Sequence, residues 1–106
     1  MKPSREHIQS SLQALLAKVS EYDDVINDAQ LDDLSLVIET DSVLAQITHW
    51  PQEHFNEGST EWIVHEIDSG GDISPHHATW ETHQEFERLQ QTFLLALRDV
   101  TGLDLL

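Results

Sequence analysis

Histidine is the side chain in this sequence best suited to chemistry, and it occurs seven times, at positions 7, 49, 54, 65, 76, 77 and 83. The segment "SPHHATWETH", Ser74 to His83, holds three of them with Glu81 alongside. Zinc is held by three or four His, Cys, Asp or Glu ligands, so the residue types suffice. Their spacing does not. There is no H-E-x-x-H motif and no histidine pair at helical spacing. The adjacent His76 and His77 point to opposite sides of an extended chain, so they do not share one ion. "HEID", His65 to Asp68, places a histidine beside a carboxylate, but neighbours in a strand face opposite ways. With 20 acidic residues in the chain, choosing any two as an acid–base pair carries no information.

Other reaction classes lack parts. The chain has no cysteine and no G-x-S-x-G turn for a nucleophilic serine. Gly70-Gly71 is followed by Asp72, which would repel a phosphate. The expected reading is a protein that is not an enzyme and needs no cofactor or metal. A metal-dependent enzyme using the histidine-rich segment remains an alternative. Three tryptophans, Trp50, Trp62 and Trp80, fall in or near strand-like segments. Two are expected in the core. The third is left open as a binding anchor, the role that exposed aromatic residues often take.

Charge is the unusual quantity. The 106 residues carry a formal net charge of −15. The stretch from Val19 to Glu87 holds 17 Asp and Glu and no Lys or Arg. "EYDDVINDAQLDD", Glu21 to Asp33, alone contributes six acids. One reading is a solvated surface that serves solubility. The sharper reading is a face that steers and holds a cationic partner. Its candidate contacts are Glu21, Asp23, Asp24, Asp28, Asp32, Asp33, Glu53, Glu57, Glu61, Glu66 and Asp68. No basic stripe is present to replace counterions on phosphates, so neither nucleic acid nor anionic membrane is an expected partner. No apolar run reaches the ~20 residues of a membrane span, and no secretory signal is expected at the N-terminus. The absence of cysteine is compatible with a reducing cytoplasm.

The elements that must position these groups follow from periodicity. Residues 4 to 20 read as an amphipathic helix capped by Ser4, with Ile8, Leu12, Leu15, Leu16 and Val19 on one face. The acidic stretch fits neither period and reads as a loop with a helical turn or a short strand. From Leu34 the period becomes two. Leu34, Leu36 and Ile38 form one strand face, "ETDS" a turn, and Val43, Ala45 and Ile47 the next strand face, ending at Trp50 and Pro51. Asn56-Glu57-Gly58 supplies turn chemistry. A third strand is expected from Thr60 to Asp68. A fourth around Ile73 to Thr79 is at best an edge strand, because Pro75 cannot donate to a ladder. Thr82 and Glu85 form a capping box for a final helix carrying Phe86, Leu89, Phe93, Leu97 and Val100, stopped by Gly102. The expected fold is a single α+β domain over residues 1–106. It is a three- or four-stranded antiparallel meander flanked by an N-terminal and a C-terminal amphipathic helix.

Three segments, "VLAQITHW", "STEWIVHEIDSGGDIS" and "HHATWETHQEFERLQQTFLLAL", resemble the TriTu group of bacterial immunity proteins. The likeness rests on a strand ending in Trp50, an acidic strand from Glu61 to Asp68, and the Gly70-Gly71 turn. His76 or His77, followed by a helix opened by Thr82, completes it. Where that group turns tightly on glycine after the first Trp, Pro51 to Asn56 intervene here before Gly58. The resemblance implies a cytoplasmic protein that performs no catalysis. It would bind and neutralise one cognate toxin of a polymorphic or contact-dependent system, acting as monomer or homodimer. Nucleases are among such toxins, and a nuclease cleft is basic. Two alternatives have the same acidity: a small secretion chaperone, and a nucleic-acid mimic that inhibits a DNA-binding protein.

Overall fold

The computed structural model describes residues 3–51, 57–67 and 69–105, and only the backbone of 72–76. The element order is α1 (Arg5–Ser20), β1 (Ile26–Asp32), β2 (Ser35–Thr40), β3 (Val43–Trp50), β4 (Gly58–Glu66), β5 (Asp72–Trp80) and α2 (His83–Thr101). The five strands form one antiparallel sheet in the order β1-β2-β3-β4-β5. The α+β class stands as expected, but the meander has one strand more than the three or four anticipated.

The added strand comes from the acidic stretch. Ile26 pairs with Thr40 and Asp28 with Glu39, so Asn27 is an extra residue, a β-bulge. The bulge sets Ile26 three residues from Ala29, while Leu31 follows two later. This hides a period-two pattern that the pairing restores. As an outer strand, β1 carries Asp28 and Asp32, and charge on an edge discourages pairing with another chain. The strand holding Pro75, β5, is the other edge, where a missing donor is tolerated.

Both helices cover the same face of the sheet. α1 packs on β1 and β2, and α2 on β3, β4 and β5. Ile8, Leu12, Leu15 and Val19 of α1 and Phe86, Phe93, Leu94 and Leu97 of α2 are buried. They meet Leu36 and Ile38 of β2, Val43, Ala45 and Ile47 of β3, and Trp62 and Val64 of β4. The caps match the sequence reading. The Ser4 side chain accepts from the His7 N–H at 3.1 Å, and Thr82 from the Glu85 N–H at 3.1 Å. The Glu85 carboxylate reaches back to the Glu81 N–H at 3.3 Å. Gly102 ends α2 in the left-handed region, at φ 78°, where a glycine meets no Cβ penalty.

One polar chain crosses the core. His49 is 1% exposed, its Nδ1 2.7 Å from Thr60 Oγ1 and its Nε2 3.3 Å from Gln90 Oε1. The Trp80 indole N–H donates to Thr60 Oγ1 at 2.8 Å, and the Gln90 amide donates to Ser11 Oγ at 2.9 Å. A neutral imidazole with its proton on Nε2 satisfies all of these contacts, since Thr60 can then donate to Nδ1. The chain ties β3, β4, β5, α2 and α1 together with no polar end left unmatched at His49.

Candidate protein-binding face

With both helices on one side, the alternate residues of the strands form a second sheet face that neither helix covers. The ladder brings them into rows. Asp32, Ser35, Thr48, Glu61 and His77 are successive cross-strand partners. So are Gln30, Val37, Gln46 and Ile63. A third row holds Asp28, Glu39, Leu44 and His65. Trp50 lies at the end of β3 opposite Ser59.

Apolar side chains run along this face, Val37 and Ile63 in its middle row and Leu44 and Trp50 toward the two ends of β3. Trp50 is 44% exposed and Leu44 39%, and Val37 and Ile63 are half-buried. Trp62 and Trp80 are buried, so the expected division of two core tryptophans and one further one falls on Trp50 as the exposed member. Among them stand Asp28, Asp32, Glu39 and Glu61, all exposed. Asp28 and Glu39 sit directly opposite one another, an arrangement that costs stability in an isolated sheet. No Lys or Arg occurs in any strand. Short polar side chains hold the floor. Ser35 Oγ and Thr48 Oγ1 are 2.8 Å apart, and Gln46 Nε2 donates to Ser35 Oγ at 3.0 Å. Between β3 and β4 the face dips into a shallow pocket of about 300 Å³, lined by Gln46, Thr48, Trp50, Glu61, Trp62 and Ile63.

Of the eleven acids expected to meet a partner, the ladder brings Asp28, Asp32 and Glu61 to this face. Glu21, Asp23 and Asp24 are exposed in the turn between α1 and β1, outside every strand. Glu57 is exposed just before β4. Glu66 is half-buried at the end of β4, on the helix side with its partner Val43, and accepts from the Ser69 hydroxyl at 3.1 Å. Glu53 and Asp68 lie outside the described residues. Glu39 was not among the eleven. Its alternation with buried Ile38 and Thr40 was the signal that places it here.

Asp33, the last of the eleven, has a countercharge from outside the acidic stretch. The Arg5 guanidinium pairs with both oxygens of its carboxylate, and Gln9 donates to it at 3.3 Å. Asp33 occupies the tight β1–β2 turn at φ 54°, a left-handed conformation that Asp and Asn adopt more readily than other residues with a Cβ. Both partners of the ion pair are about half exposed, 45% and 54%, so water screens it. Asp33→Asn keeps the turn and removes the charge. Its unfolding free energy by urea titration should fall by no more than about 0.5–1 kcal/mol. A larger loss would make this pair a structural clasp.

Among the described residues, no three His, Asp or Glu side chains converge as a metal ion requires. The histidine-rich segment lies chiefly in β5, the edge strand expected around residues 73–79, which holds His77 on an extended backbone. Among the described residues, no helix is long and apolar enough to cross a membrane. No protein-family model matches the chain, and comparison with curated proteins and with solved structures gave no match.

Proposed function

We propose that this protein is a non-catalytic inhibitor of the immunity type, which docks a basic protein toxin on the uncovered sheet face. The observation that carries the reading is that face itself. It carries Trp50, Ile63, Val37 and Leu44 interspersed with the exposed carboxylates Asp28, Asp32, Glu39 and Glu61, on a sheet with no Lys or Arg. Five strands of about eight residues span roughly 20 by 26 Å. That is about 500 Å² in projection, somewhat more than half of the ~800 Å² of accessible surface each partner contributes to a stable complex, so a partner would also contact the rim. Charge excludes several occupants. A second copy would oppose Asp28, Asp32, Glu39 and Glu61 to themselves, and a nucleic acid or anionic lipid would meet the same repulsion. The exposed apolar residues favour a folded protein partner over the mimicry of a duplex, because a phosphate-like surface gains nothing from an exposed Trp and Leu. The protein would act in the cytoplasm of the producing cell and cover the basic cleft of its cognate toxin.

The test is co-expression with the protein encoded beside this gene, followed by growth, light scattering and stopped-flow association. A one-to-one complex is expected, with survival of the host. The association rate should fall steeply with salt, and by about tenfold or more when Asp28, Glu39 and Glu61 become Asn, Gln and Gln. No complex at low salt, with cell death unrelieved, overturns the proposal.

A further inference from the structure

We propose that the pocket between Trp50 and Glu61 receives an arginine side chain of the basic partner. This rests on the sheet face being the contact surface, and it names the anchor within it. The pocket is side-chain sized, about 300 Å³, at the small end of ligand sites. Its parts match a guanidinium group on a short apolar stem. Trp50 offers a ring 44% exposed. Ile63 supplies an aliphatic wall, and Gln46 and Thr48 supply acceptors. Glu61 supplies a carboxylate with no hydrogen-bond or ion-pair partner among the described residues.

The chemistry discriminates among occupants. A guanidinium is planar, so it can stack on the indole while its N–H fork engages the carboxylate. A lysine ammonium is a compact, strongly hydrated charge that cannot do both at once. A leucine or methionine would fill the apolar part but strip water from Glu61 without replacing it, which costs free energy. An acidic or phosphorylated group is repelled by Glu61 and by the surrounding field. Arginine alone uses every wall of the pocket. The neighbouring acids then contribute to attraction, and Trp50 and Glu61 to selection.

The experiment uses the full chain at low salt with two probes of equal length and charge, an octa-arginine and an octa-lysine peptide. Binding is read by titration calorimetry and by the Trp50 indole resonance. The arginine peptide should bind about fivefold or more tightly than the lysine peptide, since a cation–π contact contributes about 1 kcal/mol at a partly exposed site. W50A should bring that ratio close to one, and E61Q should weaken the arginine peptide several-fold. Removing the distant charges in D23N/D24N should lower both affinities alike and leave the ratio unchanged. Equal affinity of the two peptides, or a ratio that survives W50A, overturns the arginine pocket and leaves the basic-partner reading standing. If neither peptide binds, both are overturned.

Discussion

Gly58→Ala should lower the unfolding free energy by about 3 kcal/mol, the upper part of the range for overpacking a filled core. A Cβ on Gly58 would fall 2.2 Å from Trp80 Cη2, 2.4 Å from Cζ2 and 2.6 Å from Cζ3. None of these separations is sustainable, and the ring cannot step aside. Trp80 is fully buried, its N–H is tied to Thr60, and its ring meets Phe86 edge-on at 5.2 Å. The strand and the ring must therefore separate, opening the β4–β5 pairing at Gly58 and Trp80. For a domain of this size the melting temperature should drop by roughly 10–20 °C. The double variant with Trp80→Phe, a smaller ring, should lose less than the sum of the single variants, because the two positions share one contact. A Gly58→Ala protein within about 0.5 kcal/mol of the parent, the scatter of ordinary surface changes, would mean that the ring does not lie on the strand.

The second large effect concerns acid. Burial lowers the His49 pKa from 6.5 to about 4, with the Gln90 hydrogen bond acting in the opposite sense. The ring packs on Phe86 at 4.6 Å, and its polar neighbours, Thr60 and Gln90, are uncharged, so no anion offsets a proton there. The folded state holds the imidazole neutral while the unfolded chain protonates it near pH 6.5. Stability from this group is complete above that pH and is lost as pH falls toward 4, by up to about 3 kcal/mol. Most carboxylates titrate below about pH 5, where their neutralisation relieves the repulsion of a chain at −15 and works the other way. From pH 6.5 to 5 the other six histidines are common to the parent and a His49→Gln variant, so the difference between the two isolates His49, with an expected loss of about 2 kcal/mol. Urea unfolding at pH 7.5, 6 and 5 should show the parent converging on His49→Gln, which has no imidazole to titrate. Ring resonances of His49 should stay unmoved down to pH 5. Parallel stability profiles for parent and variant would refute a buried neutral imidazole.

Local physics was legible in the chain wherever one element decides its own form. Ser4, Thr82 and Gly102 mark the helix ends because capping depends on residues within a turn of one another. Leu36, Ile38, Val43, Ala45 and Ile47 identify the buried strand faces because alternation is a property of the extended backbone alone. The uncovered face was implicit in the same alternation, through Val37, Glu39, Leu44 and Trp50. Which alternating set stays clear of the helices is fixed by the side on which both helices pack, and local pattern does not specify that.

Tertiary structure decided what depends on a distant partner. Ile26 to Asp32 is a strand only because β2 accepts it with a bulge at Asn27. Gly58 looks like turn chemistry in sequence, yet it opens β4 and makes room for a tryptophan 22 residues further on. Asp33 and Arg5 meet across 28 positions. His49 looked like any of seven histidines, and its neutrality arises from side chains contributed by β4 (Thr60) and α2 (Phe86 and Gln90). Periodicity and capping are short-range, so a single sequence displays them. Pairing register, close approach and burial sum contributions from residues far apart in the chain, and only the folded arrangement specifies them.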